Sequence, residues 1–330
     1  ILKSSKGINI PHVNISGKLI TARDKKMIDF AIKNHVDFIG ISFVESGKHV
    51  KMIKNLIKQN LPKIVAKIEN QKGINRLDEI INCTDVIMID RGDLSTETNI
   101  ETLGINQKQI IRKSIELAKP VIVATEMLDN MITSPNPTKA EVLDISNSVL
   151  DGATATMLSG ETAVGKYPVE SIRVMSKISS VTIKNKYENE RKYKENSMQS
   201  ETLGMSNAID NLCYSLPVNK IVAITITGFA ARVLSRLIME QPIIAVSNNK
   251  DLARGFNILA GTTGVYVKTR FFKDSLEHIP ICLHNLWKKR YILEKDFILV
   301  TALGYPSSGR RMNLLQTHLV KDLISTFSWK

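Results

Sequence analysis

Residues 64–70, Ile-Val-Ala-Lys-Ile-Glu-Asn, form a short apolar run that ends in a lysine, a glutamate and an asparagine. Four other strand-like runs in the first half of the chain end in polar residues too, and those polar clusters begin at residues 42, 90, 124 and 159. Short apolar runs separated by helical stretches are typical of a parallel sheet with both faces covered. Because the carboxyl ends of parallel strands meet at one edge, we expect the five clusters to form one site.

The spacing of the clusters favours a barrel. Successive clusters, counted from residue 42, are 25, 23, 34 and 35 residues apart, and a (β/α)₈ barrel of roughly 250 residues averages about 31 residues per unit. A closed barrel needs eight units and five are recognisable here, so residues 1–182 are predicted to form the later part of a TIM barrel. Its predicted strands are Phe38–Ile41, Ile64–Ala66, Val86–Ile89, Val121–Ala124 and Ala155–Leu158.

A capping box at Thr21–Asp24 predicts the start of a helix before the first of these strands. The apolar period places four side chains on its inner face: Met27, Ile28, Ala31 and Ile32.

A second α/β domain is predicted over residues 201–330. Residues 183–200 are rich in Lys, Glu and Asn and are predicted to be a charged helix end and linker. Beyond them, apolar strands alternate with helical stretches, which predicts a smaller, doubly wound α/β domain. The predicted strands are Ile221–Ile226, Ile243–Ser247, Val265–Val267 and Phe297–Thr301.

Composition limits the classes of function. The chain has 330 residues, of which 43% are apolar, and it contains no run of the roughly 18–20 apolar residues that a membrane helix needs. Cys83, Cys213 and Cys282 are odd in number and unclustered, which predicts neither a disulfide framework nor a zinc site. The net charge is +13, but aromatic residues are only 5% and the lysines are scattered. We therefore expect a solvated basic surface and no nucleic-acid or membrane partner.

The polar clusters contain the groups that bind a divalent metal and an anion. Glu69 and Asp93 follow neighbouring strands and offer the hard oxygen ligands that Mg²⁺ prefers. Lys67 lies two residues before Glu69, hence on the same side of its strand. Its ammonium could neutralise charge on a transferring phosphoryl group or form a structural ion pair with Glu69 or Asp93, and the two roles are compatible.

Further polar groups of the site are predicted on the following strands. The amides of Gly92 and Asp93 open a helical stretch and suit a carboxylate or a phosphate. The hydroxyl of Thr125 could donate to an enolate, although a buried threonine at a strand end is a common structural feature. Ser159 and Glu161 are expected to order their neighbours.

In these motifs the sequence resembles the pyruvate kinase family. The order and spacing of the motifs follow that family across nearly the whole chain. The segments that carry the resemblance are Lys6–Pro11, Ser42–Phe43, Lys67–Asn70, Arg91–Leu94, Ala124–Leu128, Pro137–Glu141, Asn147–Gly152 and Met157–Ala163.

The resemblance implies a glycolytic phosphotransferase, ATP:pyruvate 2-O-phosphotransferase, which converts phosphoenolpyruvate and ADP to pyruvate and ATP. It implies that Lys67 stabilises the phosphoryl group and that Thr125 contacts the enolate during protonation. It further implies Mg²⁺, with Mn²⁺ as an alternative, and K⁺, whose ligands lie outside this chain. The other implied roles are metal binding by Glu69 and Asp93, substrate binding by Ser42, Gly92 and Asp93, and nucleotide binding by Lys6.

The sequence also departs from the family pattern. Asp90 stands where the family usually has alanine, Ser95 where it has glycine, and Glu126 where it has glutamine. The first three barrel units and the inserted lid domain have no counterpart, so we expect this chain to be catalytically incomplete: a fragment, or a sequence without its amino-terminal part. Two other interpretations stay open: a degenerate regulatory chain of the same fold, and a barrel aldolase or lyase acting on a magnesium enolpyruvate.

The resemblance also implies regulation by a phosphorylated sugar bound to the second domain. The candidate effector residues are Thr225, Thr227, Gly228, Ser308, Gly309 and Arg310. Apolar replacements in the first of these loops favour an altered effector, and a solvated basic loop is the alternative for the second. A homotetramer in the cytosol is expected, with a plastid-type organelle as the other location.

Overall fold

The computed structural model describes residues 19–58, 61–190, 201–237, 239–271, 275–302 and 312–330. The chain divides into two compact units, with the division between Thr182 and Ile183. Each unit has one five-stranded sheet.

The sheet of the first unit is wholly parallel, and its spatial order, β1-β2-β3-β4-β5, is the order of the chain. Sequential parallel strands joined by helices are the repeating unit of a (β/α)₈ barrel, so the predicted partial barrel with five units is confirmed. The strands are β1 (Phe38–Ile41), β2 (Lys63–Ile68), β3 (Val86–Asp90), β4 (Val121–Ala124) and β5 (Ala155–Met157).

Helices connect these strands and bury an aliphatic core against them. Thr21 and Thr138 begin two of the helices with capping boxes, and Asn70 caps a third by accepting from the amide of Gly73. Two short 3₁₀ helices span Ile100–Thr102 and Asp129–Ile132. The α-helices are α1 (Ala22–Lys33), α2 (Gly47–Ile57), α3 (Gln71–Asn75), α4 (Leu77–Cys83), α5 (Arg91–Glu97), α6 (Leu103–Glu116), α7 (Lys139–Asp151), α8 (Gly160–Ala163) and α9 (Pro168–Glu190).

The inner face predicted for α1 is partly wrong. Ile28 and Ala31 are buried as expected, but Met27 is 57% exposed. Among the described residues, β1 has a strand neighbour on one side only. The apolar surface available to α1 is therefore narrower than the stripe that the sequence period indicates.

The sheet of the second unit has the order β10-β9-β6-β7-β8, and only β10 is antiparallel to its neighbour. This order confirms a small doubly wound α/β unit. Strand β10 was missed because polar residues, Gln316 to His318, occupy its centre. The strands are β6 (Lys220–Ile224), β7 (Ile243–Ser247), β8 (Thr262–Tyr266), β9 (Phe297–Ala302) and β10 (Leu314–Leu319).

Helices of the second unit enclose apolar clusters with this sheet. They are α10 (Glu201–Ser215), α11 (Phe229–Ser235), α12 (Lys250–Gly255), α13 (His278–Lys288) and α14 (Val320–Phe327), with a 3₁₀ helix over Phe256–Ile258. In the part of the chain that the structure describes, no helix combines the length and the apolar character that a membrane crossing requires.

Gly264 lets β8 and α12 approach each other at the backbone. A Cβ atom placed on Gly264 would lie 1.7 Å from the carbonyl oxygen of Ala253 and 3.2 Å from the Cβ of Phe256. Both neighbours belong to packed elements, and the first is a backbone atom that cannot move without displacing its helix. Any side chain at position 264 therefore separates the strand from the helix.

We predict that Gly264→Ala lowers the free energy of unfolding of the second unit by about 1–3 kcal/mol or more, because it overpacks this contact. Gly204→Ala is the matched control: a Cβ atom at Gly204, in α10, meets nothing within 4 Å. Alanine in a helix should raise stability there by roughly 0.5–1 kcal/mol. Urea unfolding followed by circular dichroism measures both variants, and equal midpoints would contradict the close approach.

Candidate active site

Lys67 and Glu69 lie at the carboxyl end of β2 and form an ion pair. Nζ of Lys67 is 2.5 Å from Oε1 of Glu69 and 3.4 Å from Oγ of Ser42, which follows β1. The Glu69 side chain is wholly buried, and that of Lys67 is 21% exposed. The amide of Phe43 donates a hydrogen bond to Oε2 of Glu69. The two strand ends are thus joined through one carboxylate.

Asp90, the last residue of β3, forms a second ion pair with the Lys67 ammonium. Oδ2 of Asp90 lies 2.9 Å from Nζ of Lys67, and the residue is 7% exposed. Parallel pairing aligns Lys67 with Met88, so Asp90 reaches the ammonium from the adjacent strand, two residues further along. The lysine therefore lies between two carboxylates that are largely shielded from water.

Burial sets the protonation behaviour of this pair. Burial raises the pKa of Glu69 above its ordinary value, and the Lys67 ammonium and the Phe43 amide offset this only in part. Burial also lowers the pKa of Lys67, but its hydrogen bonds and its attraction to Glu69 and Asp90 outweigh that effect, so its pKa lies above the ordinary value. Lys67 is therefore protonated, whereas the positive charge beside Glu69 does not fully offset the effect of burial on the Glu69 pKa.

Three carboxylates converge beside Lys67. One oxygen from each of Glu69, Asp90 and Asp93 lies within 4.8 Å of the others. Oε1 of Glu69 is buried and contacts the Lys67 ammonium at 2.5 Å, so a cation bound here would share this oxygen with Lys67. Hard oxygen donors in this number fit a divalent cation such as Mg²⁺, which is held by one or two carboxylates plus substrate oxygens and water. The residues present therefore fit the metal that the sequence predicts.

Thr125 lies immediately after β4 and contacts the start of α5. Its Oγ1 accepts a hydrogen bond of 2.8 Å from the amide of Gly92 and donates one of 2.6 Å to the carbonyl of Ala124. Thr125 has φ 70° and Glu126 has φ 54°. Left-handed backbone in a non-glycine residue costs about 1–3 kcal/mol and is uncommon, above all for a β-branched residue.

The structure thus brings together Ser42, Lys67, Glu69, Gly92, Asp93 and Thr125, the candidates of the first unit that it describes. The Gly92 amide already donates to Thr125, so a substrate carboxylate would have to replace that acceptor. Of the departures from the family pattern, Asp90 joins the charged cluster, Ser95 donates to the carbonyl of Gly92, and Glu126 is exposed.

Glu161 links the ends of β4 and β5. Its two carboxylate oxygens accept hydrogen bonds from the amides of Leu128 at 2.9 Å and Ser159 at 2.8 Å, and the residue is buried. These contacts order the loops on either side, as expected for Ser159 and Glu161. Arg91 is the functional candidate that sequence reasoning missed. It is a buried arginine directly before Gly92, and the signal available was a charged residue at the end of an apolar strand.

Three of the effector candidates lie in the turn between β6 and α11. Oγ1 of Thr225 accepts from the amide of Gly228 at 3.0 Å, the carbonyl of Thr227 accepts from Arg232 at 3.1 Å, and Gly228 has φ 78°. The turn is thus ordered by its own contacts. Lys6, Ser308, Gly309 and Arg310 lie outside the described residues.

Comparison with known families covers both units. A family model described as "Pyruvate kinase, barrel domain" matches residues 1–172, and another described as "Pyruvate kinase, alpha/beta domain" matches residues 205–318. A solved pyruvate kinase from Cryptosporidium parvum superposes with a TM-score of 0.78 at 30% sequence identity. That match covers 94% of this chain and 64% of the other.

Curated relatives agree. Pyruvate kinase of Thermococcus litoralis is 42% identical over 92% of this chain and 62% of its own length. The enzyme of Clostridium acetobutylicum is 34% identical over 97% of this chain and 68% of its own length. The enzyme of Geobacillus stearothermophilus is 34% identical over 98% of this chain, which spans only 56% of that relative's length.

We predict that Asp90→Asn weakens divalent-cation binding by roughly 10- to 100-fold, as loss of a charged neighbour does at other metal sites. The substitution removes one of three converging negative charges, and Glu69 then remains as the charged partner of Lys67. Titration of the metal-free protein with Mn²⁺, followed by electron paramagnetic resonance, measures the dissociation constant. Asp78→Asn is the control, because Asp78 is an exposed carboxylate on α4 that pairs with Lys113. Equal affinities in Asp90→Asn and the wild type would contradict the prediction.

Proposed function

The chain belongs to the pyruvate kinase family, and on that premise we propose that it carries part of an active site that transfers the phosphoryl group of phosphoenolpyruvate to ADP. The observation that carries the proposal is the ammonium of Lys67 held beside the carboxylate cluster of Glu69, Asp90 and Asp93. A fixed cation next to a site that fits a divalent metal is the arrangement that phosphoryl transfer requires, since that chemistry depends on positioning and charge neutralisation.

The proposed role of Lys67 is to neutralise charge on the phosphoryl group during transfer. The bond between phosphorus and the enol oxygen of phosphoenolpyruvate breaks, and a bond forms between phosphorus and a terminal phosphate oxygen of ADP. Lys67 suits this task because its attraction to Glu69 and Asp90 keeps its pKa above the ordinary value, although burial acts in the opposite direction. A permanently protonated donor in a partly shielded site stabilises the transition state more than one in water would.

Glu69 and Asp93 are the proposed metal ligands, and Asp90 is a third carboxylate at the same site. Mg²⁺, or Mn²⁺ in its place, would supply a Lewis acid that neutralises substrate oxygens and orients them. Oε1 of Glu69 is buried against the Lys67 ammonium, and the Phe43 amide fixes the other oxygen of the same carboxylate. K⁺ is proposed from family membership alone, and we assign no described residue to it.

Thr125 is proposed to contact the enolate that phosphoryl transfer leaves behind. The methylene carbon of the enolate takes up one proton to give pyruvate. The Thr125 hydroxyl lies next to the Gly92 amide, and the amides of Gly92 and Asp93 at the start of α5 are proposed to bind the substrate carboxylate. Ser42 accepts a hydrogen bond from Lys67 and is also proposed to bind substrate.

Nucleotide binding by Lys6, a cytosolic location, a homotetramer and a sugar-phosphate effector are further proposals. The homotetramer is proposed from family membership alone. The Thr225–Gly228 turn supports an effector site only through its position before a helix, as in the domain that the sequence resembles.

We predict that the full-length protein that contains this chain forms ATP from phosphoenolpyruvate and ADP, and that Lys67→Met lowers kcat by roughly 10²–10³-fold, as loss of one charge-stabilising donor does elsewhere. Coupled measurement of ATP formation with and without Mg²⁺ and K⁺ gives the rates. Lys54→Met is the control, because Lys54 forms its ion pair with Asp85, which is not part of the carboxylate cluster.

The same assay separates the other interpretations. Retro-aldol release of pyruvate without ADP, from an aldol substrate supplied in place of phosphoenolpyruvate, would favour an aldolase or lyase, and it would contradict the phosphotransferase. Absence of turnover in a protein that still binds Mn²⁺ would favour a degenerate regulatory chain. Unchanged ATP formation in Lys67→Met would remove Lys67 from the mechanism.

A further inference from the structure

Two consecutive residues after β4 have left-handed backbone, and the structure shows what holds them there. Thr125 has φ 70° and Glu126 has φ 54°. Threonine is β-branched, so it reaches this region only where its surroundings impose the conformation. The strained turn sets the direction of the Thr125 side chain, and the hydroxyl of that side chain is one of the groups proposed to face substrate.

Arg91 binds the carbonyl groups of that turn. Its Nε and Nη2 donate to the carbonyl of Thr125 at 3.1 and 2.8 Å, and Nη2 also donates to the carbonyl of Glu126 at 2.8 Å. Nη2 further contacts Sδ of Met127 at 3.0 Å. The planar guanidinium thus spans three residues of the turn from one side, which a single ammonium could not do.

Asp144 fixes Arg91 from the other side. Oδ2 of Asp144, on α7, accepts from Nη1 of Arg91 at 2.6 Å. The Arg91 side chain is 7% exposed and that of Asp144 is 35% exposed, so the arginine is shielded from water while the carboxylate is partly solvated, and their charged hydrogen bond is directional. Nε, Nη1 and Nη2 of the guanidinium all have partners, which leaves it a single orientation.

We propose that Arg91, fixed by Asp144, is a positioning residue that holds the Thr125–Glu126 turn in its left-handed conformation and thereby sets the Thr125 hydroxyl against the substrate. Gly92, the next residue along the chain, donates to that hydroxyl. The carbonyl and the hydroxyl of Thr125 are therefore each bound by an adjacent residue of one helix start, and the Arg91 contacts remain when a substrate carboxylate takes over the Gly92 amide. Arg91 contacts no reacting atom and acts through Thr125.

The proposal rests on the proposed function for one consequence only. If Thr125 assists protonation of the enolate, a loosened turn should slow proton transfer more than substrate binding. Phosphoryl transfer depends on Lys67 and the carboxylate cluster, whereas the Arg91 guanidinium binds the turn carbonyls, Met127 and Asp144. The two half-reactions should then respond differently to a change at Arg91.

The first test is independent of activity. In Arg91→Lys and Asp144→Asn, hydrogen–deuterium exchange of the peptide that covers residues 121–128 should become faster, because the carbonyls of the turn lose their donors. Asp151→Asn is the matched control: Asp151 is also on α7 and also forms an ion pair, with Lys108 at 2.5 Å, but it does not contact the turn. Exchange at 121–128 that is the same in Arg91→Lys, Asp144→Asn and Asp151→Asn would overturn the proposal.

The second test uses the full-length protein and follows proton transfer alone. Exchange of the methyl protons of pyruvate with D₂O, measured by proton NMR, should fall by roughly 10²-fold in Arg91→Lys, as expected for a misplaced catalytic group. The KM for phosphoenolpyruvate should stay within about threefold, since an interaction that acts after binding changes kcat. The rate of methyl-proton exchange should fall less in Asp144→Asn, because the asparagine side chain still accepts a hydrogen bond from Arg91.

Parallel loss of proton exchange and of substrate affinity would indicate a general structural role and overturn the positioning role. Absence of pyruvate exchange and of ATP formation in the wild type would instead refute the proposed function. In that case the deuterium exchange of residues 121–128 still decides whether Arg91 and Asp144 hold the turn.

Discussion

The ammonium of Lys67 is the charge on which the rest of the site depends. Glu69 is wholly buried and Asp90 nearly so, and a buried carboxylate without a partner destabilises a protein by several kcal/mol. Lys67 contacts both of them from the carboxyl end of β2. The spacing of one residue between Lys67 and Glu69 is what puts both side chains on the same side of β2. The ion pair therefore permits two acids to lie at the ends of neighbouring strands before any ligand is bound.

Three consecutive residues after β3 perform three separate tasks. Arg91 binds the carbonyls of the turn after β4, Gly92 donates its amide to Thr125, and Asp93 adds a carboxylate to the cluster. Because the helix α5 begins at Arg91, these three consecutive residues present their side chains and amides in different directions. The first turn of a short helix thus joins the metal-binding part of the site to the part that faces the enolate.

Sequence patterns were sufficient for whatever depends on short spacing. The strands of the first unit to within two residues, the capping box at Thr21–Asp24, and the common side of Lys67 and Glu69 all follow from patterns within a few residues, whereas β8 begins three residues earlier than predicted. Asp90 was recognised as a departure, but its contact with Lys67 depends on the register between β2 and β3, which a single strand does not specify. Arg91 was missed for the same reason, since its partners lie 34 to 53 residues further along the chain. Met27 was misplaced because its exposure depends on how many neighbours β1 has.

The two sheets also differ in how soon each strand can meet its partner as the chain is synthesised. In the first unit every strand pairs with the next one along the chain, as Phe38 with Lys63 and Ile122 with Ala155, so the sheet can grow strand by strand. In the second unit β6 pairs with β7 on one side. On its other side Lys220 pairs with Ile298, which is synthesised 78 residues later. Long-range pairing of this kind is slow and leaves an apolar edge open. Ribosomal emergence of β9 is therefore needed before β6 and β10 can join one sheet in the second unit, whereas each described strand of the first unit pairs with the next one along the chain.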